Sequence, residues 1–533
     1  MKNKKRIIAA YITSLVILAS CGGGGDEATD NIYSHEEPVM YDMSTEVDDG
    51  YYEMNEAGDA MMIMEEQVSE DFNTEEYDYL AENDFLSPGV NPLSTFSIDV
   101  DNASYTNVRR MLNQGQQPPV DAVRTEEFIN YFDYDYPTPS KSDIFSVYTE
   151  MGECPWNDAH QLMHVGLKGY TVPIEDLPPS NLVFLLDVSG SMDDKNKLPL
   201  LKKSFKLMVN RLNTKDKVSI VTYAGDERLV LESTSCENKT EILAAIDNLS
   251  SGGSTNGEGG IEMAYDQAVE NFIKEGNNRI ILATDGDFNI GRSSGGELTR
   301  LIEEKRDLGV YLTILGFGMG NYKDSKMESL ADHGNGNYFY IDDIGESNNV
   351  LVDNLAGTLF TIAKDVKIQV EFNPKFVSEY RLIGYENRLM NAEDFADDKK
   401  DAGELGAGHT VTAIYEIIPG TAKKNDLKYQ QQINNSSAEL ATIKLRYKKP
   451  DENESQLIEL TVNNSTKNLD ENSKDFRFSA AVAAFSLILR ESQYMNDYSL
   501  EEVLALAKST LNLDDSRKIG FLNLVEKAMV IAS

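Results

Sequence analysis

The sequence predicts an α/β protein. Its centre is a doubly wound, mostly parallel sheet, flanked by an N-terminal α+β region and a C-terminal β-sandwich-like domain with terminal helices. Three observations carry this reading. First, apolar runs such as "NLVFLLDVS", "NRIILATDG" and "VYLTILGFG" alternate with amphipathic stretches such as "NKLPLLKKSFKLMVNRL". Strands buried on both faces read as unbroken apolar runs, and the helices between them cover a parallel sheet. Second, after about Thr361 the strand-like segments "KDVKIQVEFNP", "HTVTAIYEIIP" and "ELATIKLRYKKP" follow one another without intervening helices, as in an antiparallel sandwich. Third, from about Asp475 "FRFSAAVAAFSLILRES", "SLEEVLALAKSTL" and "RKIGFLNLVEKAMVIA" have helical spacing.

In chain order, the basic stretch "MKNKKR" precedes the short apolar run "IIAAYITSLVIL" and then "LASC" at Leu18–Cys21. The run is short for a membrane span and fits an export signal over residues 1–20. The tetrapeptide resembles the bacterial lipobox. That resemblance implies cleavage before Cys21 and lipidation of its thiol and new amine, and several acyl chains together anchor stably. "GGGG" follows Cys21 with no Asp next to it, which favours the outer membrane if the cell is Gram-negative. Residues 21–85 are acidic, hold no Lys or Arg from Gly22 to Asp84, and show no sustained periodicity. They read as a disordered, self-repelling tether.

The α+β region spans 86–178. In it "STFSIDVD" reads as a strand, "SYTNVRRMLNQ" as a helix with Ser104 at its N-cap, and "PPVDAVRTEEFINYF" as a second helix opened by Pro. The doubly wound domain spans 179–362, with "DKVSIVTYA" and "ERLVLEST" close enough to pair as a hairpin. The sandwich and helices occupy 363–533.

Composition narrows the function. The chain has 533 residues and a formal net charge of -40, which disfavours nucleic acid, since phosphate binding runs on Lys and Arg. Such acidity favours solubility and divalent cations. Three cysteines and five histidines make a Cys/His zinc framework a poor fit. Cys154 and Cys236 form either a disulfide, which export would permit, or two buried thiols.

In a doubly wound sheet, ligands sit at the carboxyl ends of the strands. "FLLDVSGSMDD" puts Asp187, Ser189 and Ser191 there, Asp285 ends "IILATDG", and Thr255 sits in the Gly-rich loop "SSGGSTNGEGG". All five side chains offer oxygen, a hard-cation set suited to Mg²⁺ or Mn²⁺, with no organic cofactor called for. "DVSGSM", the Gly-flanked "ST" and "ATDGD" together resemble a von Willebrand factor type A domain with a complete metal-ion-dependent adhesion site. The resemblance implies that Asp187, Ser189, Ser191, Thr255 and Asp285 hold the metal, directly or through water. One position is left for an Asp or Glu carboxylate of a protein partner. The flanks "STFSIDVDNASYTNVRRMLNQGQ" and "VRTEEFINYFDYDYP" extend the resemblance to bacterial type A domain lipoproteins.

Catalysis has little support. "DVSGSM" is not a nucleophile elbow, no histidine neighbours it in sequence, and no phosphate-binding lysine loop appears. Asp193, Asp194 and Asp287 lie near the expected rim, either tuning a cation or solvated. His333 reads as a surface residue that could approach the site. Two functions stay open. One is adhesion or envelope assembly through metal-dependent protein binding. The other is a structural scaffold in which the metal only stiffens loops and the C-terminal domain makes the contacts. The sequence sets no oligomeric state.

Overall fold

The computed structural model describes residues 75–140, 143–254, 257–286, 295–320, 322–422, 438–450, 452–511 and 515–533. The expected signal, Cys21 and the tether up to residue 74 lie outside them. The first part of the chain supplies β1 (Leu93–Ser97), α1 (Ala103–Asn113), α2 (Thr125–Asn130), β2 (Phe145–Glu153) and β3 (Gln161–Gly169). The central part runs β4 (Ser180–Asp187), α3 (Leu198–Arg211), β5 (Lys217–Tyr223), β6 (Glu227–Ser235), α4 (Lys239–Asp247), α5 (Glu258–Glu270) and β7 (Asn277–Thr284). It continues through α6 (Gly295–Asp307), β8 (Val310–Gly316), α7 (Asp324–His333), β9 (Tyr338–Tyr340), α8 (Ile344–Asn348) and α9 (Leu355–Leu359). The last part holds β10 (Thr361–Phe372), β11 (Val377–Ile383), β12 (Gly403–Gly406), β13 (Thr410–Pro419), β14 (Glu439–Lys448) and β15 (Gln456–Asn463). It ends in α10 (Lys474–Leu489), α11 (Leu500–Lys508) and α12 (Ser516–Ala532).

The central strands form one six-stranded sheet in the order β6-β5-β4-β7-β8-β9. All neighbours are parallel except β5 and β6, which pair antiparallel as the sequence suggests. Every residue of β4 and β7 is buried, because helices cover both faces. One face packs Phe184 and Leu186 against Phe205 and Met208 of α3. The other packs Val183 and Leu185 against Ile261 and Tyr265 of α5. Burying each such side chain contributes roughly 1.5–3 kcal/mol, so this sheet is a rigid floor for whatever its edge carries.

The two flanks, which read as separate regions in the sequence, share their sheets. β1 pairs with β10, and β3 pairs with β13. The result is a sandwich of β1-β10-β14-β15, with β12 on β10, facing β11-β13-β3-β2. Phe96, Met163, Leu167, Ile368, Tyr415 and Ile443, from both sheets, fill its core. α10 is buried along almost its whole length, packed against α2 and α11 and meeting Phe521 of α12 through Phe478 and Phe485. Phe132 meets Phe478 edge-on at 5.0 Å there.

Local readings shift in three places. α1 begins at Ala103, and the Ser104 hydroxyl does not cap it; it donates to the Ala122 carbonyl at 2.6 Å. The expected second helix breaks into a short turn over Val120–Ala122 and α2, because Val123 and Arg124 are extended. The tether ends earlier than residue 85. The Glu75 carboxylate pairs with Arg110 at 2.9 Å, Glu82 reaches the buried Arg381 at 2.6 Å, and Asn83 donates to the Leu382 carbonyl. Among the described residues, no helix is long and apolar enough to cross a membrane.

Candidate metal centre

Asp187 closes β4 at the carboxyl edge of the parallel sheet, and Asp285 follows the last residue of its neighbour β7. The register sets Leu186 opposite Ala283 and Asp187 opposite Tyr223 of β5, so the two aspartates stand side by side. Both are buried, at 0% and 2% exposure. Asp187 Oδ1 accepts the Ser189 amide at 2.9 Å, and Oδ2 faces the Thr284 hydroxyl at 3.4 Å. The Ser189 and Ser191 hydroxyls lie 3.0 Å apart, the first buried and the second exposed. Burial pushes the Asp187 carboxyl up to about 6, and the neighbouring Asp285 charge adds to the rise. Two adjacent buried carboxylates and two hydroxyls make an all-oxygen donor set that favours a positive charge. That set fits a hard dication.

Thr255 and Asp287 lie outside the described residues. The loop leading to Thr255 is nevertheless stitched to the first one. Gly252 donates to the Val188 carbonyl at 2.8 Å, and Gly190 donates to the Gly253 carbonyl at 3.0 Å. Ser251 Oγ donates to Asp193 Oδ1 at 2.7 Å, which ties down one rim carboxylate; Asp193 and Asp194 are both exposed.

One residue escaped the sequence reading. Lys197 Nζ donates to Asp285 Oδ2 at 2.9 Å, with Lys197 only 7% exposed. A lysine one position before an amphipathic helix reads as solvated. Its only sequence signal is its place in the turn between the "DVSGSM" loop and α3.

The described histidines are engaged elsewhere. His333 ends α7 at the opposite edge of the sheet, and its Nδ1 donates to the Ser329 carbonyl at 2.6 Å. His160 pairs with Glu416, and His164 with Tyr136 and Ser479, all in the sandwich and helix layers. His409 is half-buried beside Gly357. A second acidic group, Asp99, Glu127 and Glu328, has carboxylate oxygens within 4.8 Å of one another. Arg124 and Arg388 occupy it, so it is an ion-pair junction between α2, α7 and the 386–388 turn.

The protein-family matches agree with this architecture. Residues 181–353 match the von Willebrand factor type A domain family, residues 71–164 a family described as von Willebrand factor, and residues 357–531 the family described as Uncharacterized protein YfbK, C-terminal. The chain is 43% identical over 469 residues to "Uncharacterized protein YfbK" of Escherichia coli (strain K12), covering 85% of this chain and 81% of that protein. It is 29% identical over 275 residues to "Inter-alpha-trypsin inhibitor heavy chain H3" of Homo sapiens, covering 49% of this chain and 29% of that one. Among solved structures it aligns with "von Willebrand factor type A from Catenulispora acidiphila" at 14% identity, a TM-score of 0.39, and coverage of 70% of this chain and 88% of that one.

Proposed function

The chain belongs to the family of the Escherichia coli protein YfbK and joins a von Willebrand factor type A domain to a C-terminal domain of the YfbK type, and from that premise we propose that it is a lipid-anchored envelope protein that captures a protein partner through a metal-dependent adhesion site. Type A domains mediate protein interactions, often through a metal site. The observation that supports the finer reading is the juxtaposition of buried Asp187 and Asp285 with the Ser189 and Ser191 hydroxyls at one sheet edge.

In this reading Asp187, Ser189, Ser191, Thr255 and Asp285 hold Mg²⁺ or Mn²⁺. When bound, the dication supplies an open coordination position for a partner's Asp or Glu carboxylate. Asp187 is oriented by the Ser189 amide and the Thr284 hydroxyl. The glycine loop at 252–254 closes over the first loop through backbone hydrogen bonds. The two serine hydroxyls face each other, and Ser189 also the Asp187 carboxylate, with no described histidine beside them, which suits ligation better than nucleophilic attack. Cys21 carries the anchor, on the outer membrane if the cell is Gram-negative.

The test is partner capture from envelope extracts of the source cells, in Mg²⁺ and in chelator. Capture should be lost in chelator and in Thr255→Ala and Asp187→Ala proteins that retain their circular dichroism. Capture indifferent to chelator and to both substitutions would instead support a scaffold whose contacts are made by the sandwich and helices.

A further inference from the structure

We propose that Lys197 is a resident cation of the adhesion site, which keeps its metal affinity low and makes metal retention depend on a partner carboxylate. The inference rests on the metal reading above.

Lysine is rarely buried unless paired. Here the pairing is built into the fold. The Lys197 amide donates to the Asp194 carbonyl at 3.0 Å, and its carbonyl accepts from Leu201 at 2.8 Å, fixing the backbone at the entry to α3. The aliphatic stem lies over Gly318, which follows β8 with a left-handed φ of 76°. A Cβ at 318 would come within 2.5 Å of Lys197 Cε, so the missing side chain forms the channel through which the ammonium reaches Asp285. Asp285 is therefore shared between an ammonium and the metal position.

The charges decide the consequence. Among the described residues, the buried charged groups are the Asp187 and Asp285 carboxylates and the Lys197 ammonium, a net charge of one negative. A dication turns that into one positive, against two aspartates that are themselves closed to water. One further carboxylate then neutralises it. Without the ammonium, the two aspartates alone neutralise a dication, and an added carboxylate gains less. Lys197 thus opposes metal in the free protein and favours the ternary state with a carboxylate. A cation at this distance acts strongly in a desolvated site, and removing it should tighten metal binding about tenfold or more.

The probe is Mn²⁺, whose free form is read by electron paramagnetic resonance, titrated into the full-length protein with acetate or with chloride at matched ionic strength. Asp187→Asn supplies the background from the acidic N-terminal segment. Lys197→Met, which preserves the stem over Gly318, should bind Mn²⁺ about tenfold tighter than wild type, with a smaller gain from acetate. Lys197→Arg should behave as wild type. Lys197→Gln substitutes for the Met protein if that one fails to fold. Wild-type binding with no tightening in Lys197→Met or Lys197→Gln overturns the role of Lys197 alone. Wild-type and Lys197→Met proteins that both bind no more than Asp187→Asn overturn the metal reading and this inference with it.

Discussion

Gly286, the residue after Asp285, lies flat against Tyr322. Its φ is 94°, and a Cβ at 286 would come within 2.8 Å of the Tyr322 Cα. The Tyr322 carbonyl in turn accepts the Glu76 amide at 3.0 Å, and Glu75 Oε1 accepts the Gly320 amide at 2.9 Å. The edge that carries Asp285 is thus backed by a loop clamped by the first described residues of the chain.

Gly286→Ala meets both a left-handed backbone and immovable backbone atoms. It should cost about 1–3 kcal/mol of stability. It should also weaken Mn²⁺ binding by displacing Asp285. Chemical denaturation and a metal titration on the same protein check this, and an unaltered titration would show that the loop does not position Asp285.

Arg381 is fully buried and bridges Glu82 and Glu416, at 2.6 Å to each. Arg381→Met leaves the buried Glu416 without its main countercharge, a loss of about 3–5 kcal/mol. Glu82→Gln touches only the partly exposed partner and should cost far less. Equal losses from the two substitutions would contradict this division.

Stability should respond to pH through two opposed groups. Burial lowers the His164 imidazole to about 4, so it stays neutral in the fold. The unfolded histidine protonates below about 6.5, so this contribution is whole above that pH and is lost as pH falls toward 4, about 3 kcal/mol in all. Burial, then the charges of Glu386 and Asp99, lifts the Glu126 carboxyl to about 7. Its protonated form is favoured by the fold, so its contribution is whole below the ordinary carboxyl range and is lost as pH rises through 7. Denaturation between pH 4.5 and 8 should show His164→Gln flattening the acid side and Glu126→Gln flattening the other. Variants with wild-type slopes would refute the assignment.

Cys154 and Cys236 are both buried free thiols, in separate cores. Burial pushes the Cys236 thiol up to about 12, which makes it unreactive. Reductant should leave the melting temperature unchanged, and both thiols should label only on unfolding. A melting point lowered by reductant would reveal a bridge.

These outcomes bear on what the sequence could show. β4 and β7 were legible because strands buried on both faces are apolar throughout, and their last residues then mark the carboxyl edge where Asp187 and Asp285 stand. The pairing of β1 with β10 and of β3 with β13 was not legible, since register between strands separated by an entire domain leaves no local pattern. Lys197 was missed for a related reason: its partner Asp285 and the space above Gly318 come from distant strands. Ser104 looked like a cap because local spacing allowed it, whereas its hydroxyl is taken by the Ala122 carbonyl.

The most direct test of the central claim is calorimetric titration of Mg²⁺ into the full-length protein in acetate, with Asp187→Ala as control. Saturable one-site heat in the wild type and its loss in the folded control is the predicted result. Identical heats in the two proteins would place cation binding elsewhere and contradict a metal-dependent adhesion site at this sheet edge.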